Sequence, residues 1–329
     1  MATVIEAPPH PPRPDRSTLA ARTVSSRVSL RTRITEIARA RELFVFLVRK
    51  ELKVKYKGSV LGLLWSMLNP AVTLMVYYVV FKYFLKSSVP YFALYLFSGL
   101  IVWNFFLTAL IGSASTIVAN AGIVKKVSFP REILALAQVG TSAMFFFFQS
   151  IVLVLFLIGF QYAPDWDYLP LLLFAFVDLI VFTSALAIFL SAVNVYLRDI
   201  EHLIAVLLNA WFWGVPIIYS FNQVDSGSHR WLGYVYLADP ITVIILAFQR
   251  SIYGKVTYLT HAPATVFGVK AGKLVSHTKT VYTNHVQLAN YPYHFYLLML
   301  LWVLAVSVVM LLVAMLVFGR IEGNFAEEL

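Results

Sequence analysis

The sequence predicts an all-α polytopic membrane protein: six transmembrane helices, an N-terminal amphipathic interface helix, a re-entrant external hairpin before the last span and a small β-rich external insert. Three observations lead there. Of the 329 residues, 60% are hydrophobic and only 13% charged, a balance unlike that of a soluble globule. Apolar runs long enough for a hydrocarbon core of ~30 Å, about 20 residues each, recur along the chain. Thirteen of the 26 Lys and Arg fall within the first 57 residues, directly before the first such run. The net charge of +10 therefore orients the chain in a membrane rather than recruiting nucleic acid.

Residues 1–40 open with the Pro-rich string APPHPPRPDR and are expected to form a disordered cytoplasmic tail. Over residues 41–58, helical spacing puts Arg49, Lys50, Lys53 and Lys57 on one face and Val45, Val48, Leu52 and Tyr56 on another. The alternation from Lys50 to Lys57 also suits a short strand, but that strand would have no sheet to join. The expected element is a helix on the membrane surface, its cations facing anionic headgroups or a soluble partner.

A membrane domain then fills residues 59–329, with spans near 61–85, 91–118, 133–160, 169–193, 203–221 and 295–318. Asn69-Pro70 marks an expected kink in the first. Lys125, Lys126 and Arg131 follow the second span, and Arg198, Asp199 and Glu201 follow the fourth. The loop 161–168 carries Asp165 and Asp167 but no Lys or Arg, which makes it external by the positive-inside rule. Six spans put both termini in the cytoplasm. In the long polar region 222–294, the apolar piece 239–249 is too short to span and reads as a re-entrant or interfacial hairpin. Residues 255–291 turn to Thr, Val, Tyr, His and Lys, the composition of a β-rich insert.

The chain carries no chemistry of its own that its motifs reveal. There is no GxxxxGK[ST] loop, the nearest string, GVKAGKL at Gly268–Leu274, having the wrong spacing; HExxH and a nucleophile elbow are also missing. Cysteine is absent, which excludes disulfides and thiolate sites. The histidines at 229, 261, 277, 285 and 294 show no regular ligand spacing, so no metal is assigned. The expectation is a non-enzymatic chain without cofactor, whose energy comes from another polypeptide. Tyr77, Tyr78 and Phe81, with Trp211, Trp213 and Tyr219, gather at span ends. They suit stacking against sugar rings, and equally an aromatic belt. Asp178 is the one acid well inside a span; at a cost of roughly 2.5–3.5 kcal/mol it must face protein or water, on a transport path or in a structural hydrogen bond.

From about Arg41 to Leu329, the order of KKVSFPREI in the first internal loop, NVYLRDIEHL in the second, WFWGVPIIYS in the fifth span and DPITVIILAFQRSIYG before the last resembles the permease subunit of ABC exporters for lipid-linked polysaccharide, the class of O-antigen, teichoic acid and galactan exporters. The resemblance implies a bacterial inner-membrane homodimer paired with two ABC ATPase subunits that bind ATP and Mg. It also implies a polyprenyl-diphosphate-linked glycan as cargo, moving outward at the dimer interface. It assigns ATPase coupling to Lys125, Lys126, Phe129, Pro130, Arg131 and Glu132 with Arg198, Asp199 and Glu201, and an external gate to the hairpin bearing Asp239, Pro240 and Arg250. Two other readings stay open: a membrane-embedded glycosyltransferase using Asp165, Asp167 and Asp239, and an ABC exporter of small lipids or drugs.

Overall fold

Helices dominate because, in an apolar surrounding, a helix satisfies every backbone group internally. A computed structural model describes residues 30–59, 61–62, 64–85, 91–225, 230–254, 257–270, 273–286, 288 and 291–329. Two short helices, α1 (Leu30–Arg39) and α2 (Arg41–Lys55), precede the long helices α3 (Leu64–Phe84), α4 (Phe92–Ala119), α6 (Glu132–Gly159) and α7 (Leu169–Tyr196). The one-turn α5 (Ala121–Val124) links α4 to α6. After α7 come α8 (Ile200–Trp213), the short α9 (Phe221–Asp225), α10 (Arg230–Ala238) and α11 (Pro240–Tyr253). The chain closes with strands β1 (Thr257–Lys270) and β2 (Lys273–Val286), the long α12 (Tyr293–Ile321) and α13 (Phe325–Glu328). Among the described residues, five helices are long and apolar enough to cross a membrane, or six if the bent pair α10–α11 counts as one span.

Where each helix lies follows from its pattern. α4 is apolar on all sides, with buried side chains from Ala93 to Ile117, and sits innermost against α6, α7, α8 and α11. α7 and α12 pack along one another, and α3 lies at the periphery with Leu64, Leu68, Val72 and Met75 exposed. β1 and β2 pair antiparallel from Thr257 opposite Val286 to Lys270 opposite Lys273.

Several elements differ from expectation. Residues 30–39, expected within the tail, are helical, because Arg33 has acidic partners waiting in the folded chain: Glu132 at the start of α6 and Glu322 after α12. Residues 1–29 lie outside the described residues. Helix α2 does not lie free on a surface. Phe44, Leu47 and Val48 pack into the core, and Phe44 and Val48 press on α6 at Gly140, where a Cβ would sit 2.7 Å from Phe44 Cζ and 3.0 Å from Val48 Cγ2. Val45, placed on the apolar face by spacing, is 41% exposed. Pro70 is carried inside the helical part of α3, and regular winding gives way instead at Val80–Phe84, a π-helical turn.

The span expected over 203–221 is helical only to Trp213. Fourteen residues reach about 21 Å at 1.5 Å per residue, short of a ~30 Å core. Gly214 and Pro216 interrupt the helix, and the freed carbonyls are taken up by the protein. Tyr95 Oη donates to the Tyr219 carbonyl at 2.8 Å, and Gln249 Nε2 donates to that of Pro216 at 3.2 Å. The following hairpin is sharp, α10 and α11 meeting at 94°. Asp239 makes the corner: its carboxylate accepts from the Ile241 amide at 3.3 Å, from Thr242 Oγ1 at 2.8 Å and from Trp211 Nε1 at 3.2 Å, with Pro240 starting the helix.

Candidate functional site

A groove of about 760 Å³ opens between the C-terminal end of α2 and helices α3, α4, α6 and α8. Two chemistries alternate along it. Aromatic rings come from Tyr56, Trp65, Tyr77, Trp103, Phe145 and Phe212, and polar groups from Ser66, Asn69, Thr73, Asn104, Gln149 and Asn209. Helical period explains the convergence: Trp65, Asn69, Thr73 and Tyr77 recur every four residues, forming one stripe of α3, while Leu100, Asn104 and Thr108 do the same on α4. Between residues 65 and 77 the stripe runs roughly 18 Å along α3.

Part of the polar lining is held in place. Asn104 Nδ2 donates to Gln149 Oε1 at 3.2 Å, and Thr108 Oγ1 donates to the Asn104 carbonyl at 2.7 Å. Asn69, Thr73 and Asn209 have no side-chain partner among the described residues and present their groups to the groove. Carboxamides and hydroxyls flanked by rings can hydrogen-bond hydroxyls while stacking on the apolar faces of a sugar.

At one end of the groove stands Lys55. Its Nζ lies 4.0 Å from the centroid of Phe145, whose ring is edge-on to Tyr56 at 6.1 Å. The residue is exposed, and desolvation of its ammonium against the groove wall lowers the pKa of this lysine. Among the described residues no carboxylate pairs with it. Of the cations expected on the interface helix, Lys50 donates to Asn120 Oδ1 at 3.0 Å, whereas Arg49, Lys53 and Lys57 are exposed.

Of the aromatics singled out from the sequence, the groove takes only Tyr77. Tyr78 packs beside Phe160 and Phe81 against Phe92. Trp211 stands edge-on to Phe106 and donates to Asp239; Trp213 is 65% exposed; Tyr219 pairs with Tyr236 through their hydroxyls at 2.8 Å. Asp178 is wholly buried on α7 away from the groove, its carboxylate without a hydrogen-bond partner among the described residues. The carboxamides Asn69, Asn104, Gln149 and Asn209 were the signal in the sequence: polar side chains inside apolar spans mark a cavity or an interhelical contact.

The residues expected at the coupling end fall into two sets. Lys125 and Lys126, with Val127 and Ser128, form an exposed turn, and Arg198 and Asp199 are exposed beside the end of α7. Arg131 and Glu132 instead turn inward. Buried Glu132 pairs with Arg33, which also pairs with Glu322; Arg131 Nη1 donates to the Glu322 carbonyl at 2.6 Å and covers the Phe325 ring. Phe129 and Pro130 are half-buried, and the Glu201 amide donates to Asn194 Oδ1. At the other end, Arg250 pairs with Asp165 at 3.0 Å over the face of Tyr168. Asp165 and Asp239 are thus each engaged in holding the hairpin.

The segment that builds the groove also carries the likeness to known proteins. Residues 42–253 match the family described as ABC-2 type transporter. The O-antigen export system permease protein RfbA of Myxococcus xanthus is 32% identical over 222 residues, covering 67% of this chain and 84% of that protein. A Klebsiella pneumoniae protein of the same name is 28% identical over 236 residues, 69% of this chain and 90% of its own length.

Proposed function

The chain belongs to the ABC-2 type transporter family of membrane proteins, and from that premise we propose that it is the transmembrane subunit of an ATP-driven exporter. Its cargo is a polyprenyl-diphosphate-linked polysaccharide, carried from the cytoplasm across the bacterial inner membrane. A separate ABC ATPase supplies the energy, in keeping with a sequence that has no phosphate-binding loop. The observation that carries the reading is the groove, whose alternating rings and carboxamides suit a hydroxylated polymer better than an acyl chain.

In this reading two copies of the chain face one another and pair with two ATPase subunits, both termini lie in the cytoplasm, and α2 is the interface helix. The exposed turn at Lys125 and Lys126, with Arg198 and Asp199 beside it, docks on the ATPase through charge complementarity. Phe129, Pro130, Arg131 and Glu132 stiffen the turn from behind. Movement of the turn is passed to α6, which walls the groove. The α10–α11 hairpin, held at Asp239, Pro240 and Arg250, is the external gate, and β1–β2 lies outside the membrane.

The test is gentle solubilisation from the native membrane with Lys125→Glu/Lys126→Glu beside the parent. The parent should bring down an ATPase subunit in equal amount with vanadate-sensitive hydrolysis, and the variant should insert normally yet lose both the partner and export. A parent that purifies without any ATPase overturns the exporter reading; a variant that exports normally overturns the docking role of the turn.

A further inference from the structure

We infer that α12 is a strut that carries movement from both internal loops to the external hairpin, and that Arg33 and Glu322 are the positioning residues that fasten the loops to it. The inference rests on the export reading and adds a route beside α6. At the end of α12 three other elements meet. From the first internal loop, Arg131 Nη1 donates to the Glu322 carbonyl at 2.6 Å, and its guanidinium covers the Phe325 ring at 5.7 Å. From the base of the second, Tyr196 Oη donates to the Ile321 carbonyl at 2.8 Å, and its ring stands 6.1 Å from that of Phe325. From α1, Arg33 pairs with Glu132 through one terminal nitrogen and with Glu322 through the other. Phe325, in the middle, is wholly buried.

Charge explains why an arginine stands there. Glu132 is buried, so water screens its repulsion from Glu322 poorly, and a planar guanidinium answers both carboxylates at once. The seat is shaped for it: at Gly319 of α12 a Cβ would lie 2.9 Å from Arg33 Cζ. From this clamp α12 runs unbroken for 29 residues, about 43 Å at 1.5 Å per residue. At its far end Tyr293 and Tyr296 stand 5.7 and 6.2 Å from Tyr168, the ring on which Arg250 of the hairpin rests. Ion pairs and packed rings joined by one rigid helix are the physical means by which distant sites are coupled. Arg33 and Glu322 both fall outside residues 42–253, the segment that matches the family.

Glu322→Gln cuts the bridge and little else, because Arg33 keeps Glu132 and Arg131 keeps the backbone carbonyl at position 322. Its unfolding midpoint should stay within about 2 °C of the parent. The native strain carries the parent, Glu322→Gln or Glu322→Asp; the whole complex is purified, and surface carbohydrate is labelled on intact cells with periodate and a hydrazide. Glu322→Gln should bring down the ATPase in equal amount and hydrolyse ATP at the parental rate, while surface carbohydrate falls roughly 5-fold or more. Glu322→Asp, which keeps the charge, should restore most of it. A role confined to stability predicts normal export in a variant that melts with the parent, and that result overturns the inference. Loss of the ATPase from Glu322→Gln overturns it too, making the clamp a docking contact. A parent that purifies without any ATPase overturns the export reading and this inference with it.

Discussion

Asp165→Asn should loosen the hairpin by a calculable amount. The Asp165 and Arg250 side chains are 8% and 10% exposed and meet at 3.0 Å. Removing one member of a buried ion pair costs about 3–5 kcal/mol, chiefly because the other charge is left uncompensated. Here the guanidinium keeps the face of Tyr168 at 3.9 Å, an interaction worth ~1–2 kcal/mol when desolvated. The expected loss therefore falls near the lower end, about 3 kcal/mol. At ~2.1 cal/mol/K of unfolding entropy per residue, a chain of 329 residues shifts by roughly 1.5 °C per kcal/mol, so the unfolding midpoint should drop by about 4 °C. Thermal melts in detergent, followed by tryptophan fluorescence, measure it, with Trp166 next to the altered residue as a local reporter. The double change Asp165→Leu/Arg250→Met should recover at least half the loss, since it removes both charges together. A single variant that melts with the parent, or a double variant no more stable than the single, would refute the claim that this pair anchors α11.

Gly140→Val should lever α2 away from α6, because even a Cβ there meets Phe44 at 2.7 Å; overpacking of this kind costs about 1–3 kcal/mol. Trypsin should then cut faster at Arg49 and Lys53, and an unchanged digestion rate would count against the close packing. Arg33→Met should leave Glu132, 1% exposed, with an uncompensated buried charge, at a cost of ~3 kcal/mol that Arg33→Met/Glu132→Gln partly restores. Faster amide exchange over Phe325–Glu328 in the single variant is the accompanying sign, because Arg33 also holds Glu322.

The long helices were legible because hydropathy alone decides them: α4, α6, α7 and α12 begin or end within three residues of the apolar runs expected. What escaped is partly local and partly distant. Residues 30–39 carry Leu30, Ile34 and Ile37 at helical spacing, a short pattern overshadowed by the charged residues around it, and the folded chain adds Glu132 and Glu322, 99 and 289 residues from Arg33. The length of α8 was misjudged because WFWGVPIIYS is as hydrophobic as a span, while Gly214 and Pro216 dictate its backbone. The aromatic criterion for the site picked out Tyr77 and passed over the stripe Trp65, Asn69, Thr73. Rings are plentiful in any membrane protein, at 16% of this chain, so their presence discriminates little. The carboxamides inside spans are fewer and costlier to bury, and they carried the information.

The shortness of α8 has a consequence for the lipid around it. A helix of about 21 Å beside neighbours of 28 residues and more leaves the bilayer to make up the difference. Hydrocarbon tails next to such a helix compress and headgroups sink toward it, at fractions of a kcal/mol per ångström of mismatch. Because α8 also forms one wall of the groove, the mismatch falls beside that groove, and the thickness of the surrounding bilayer becomes a variable that acts on its wall.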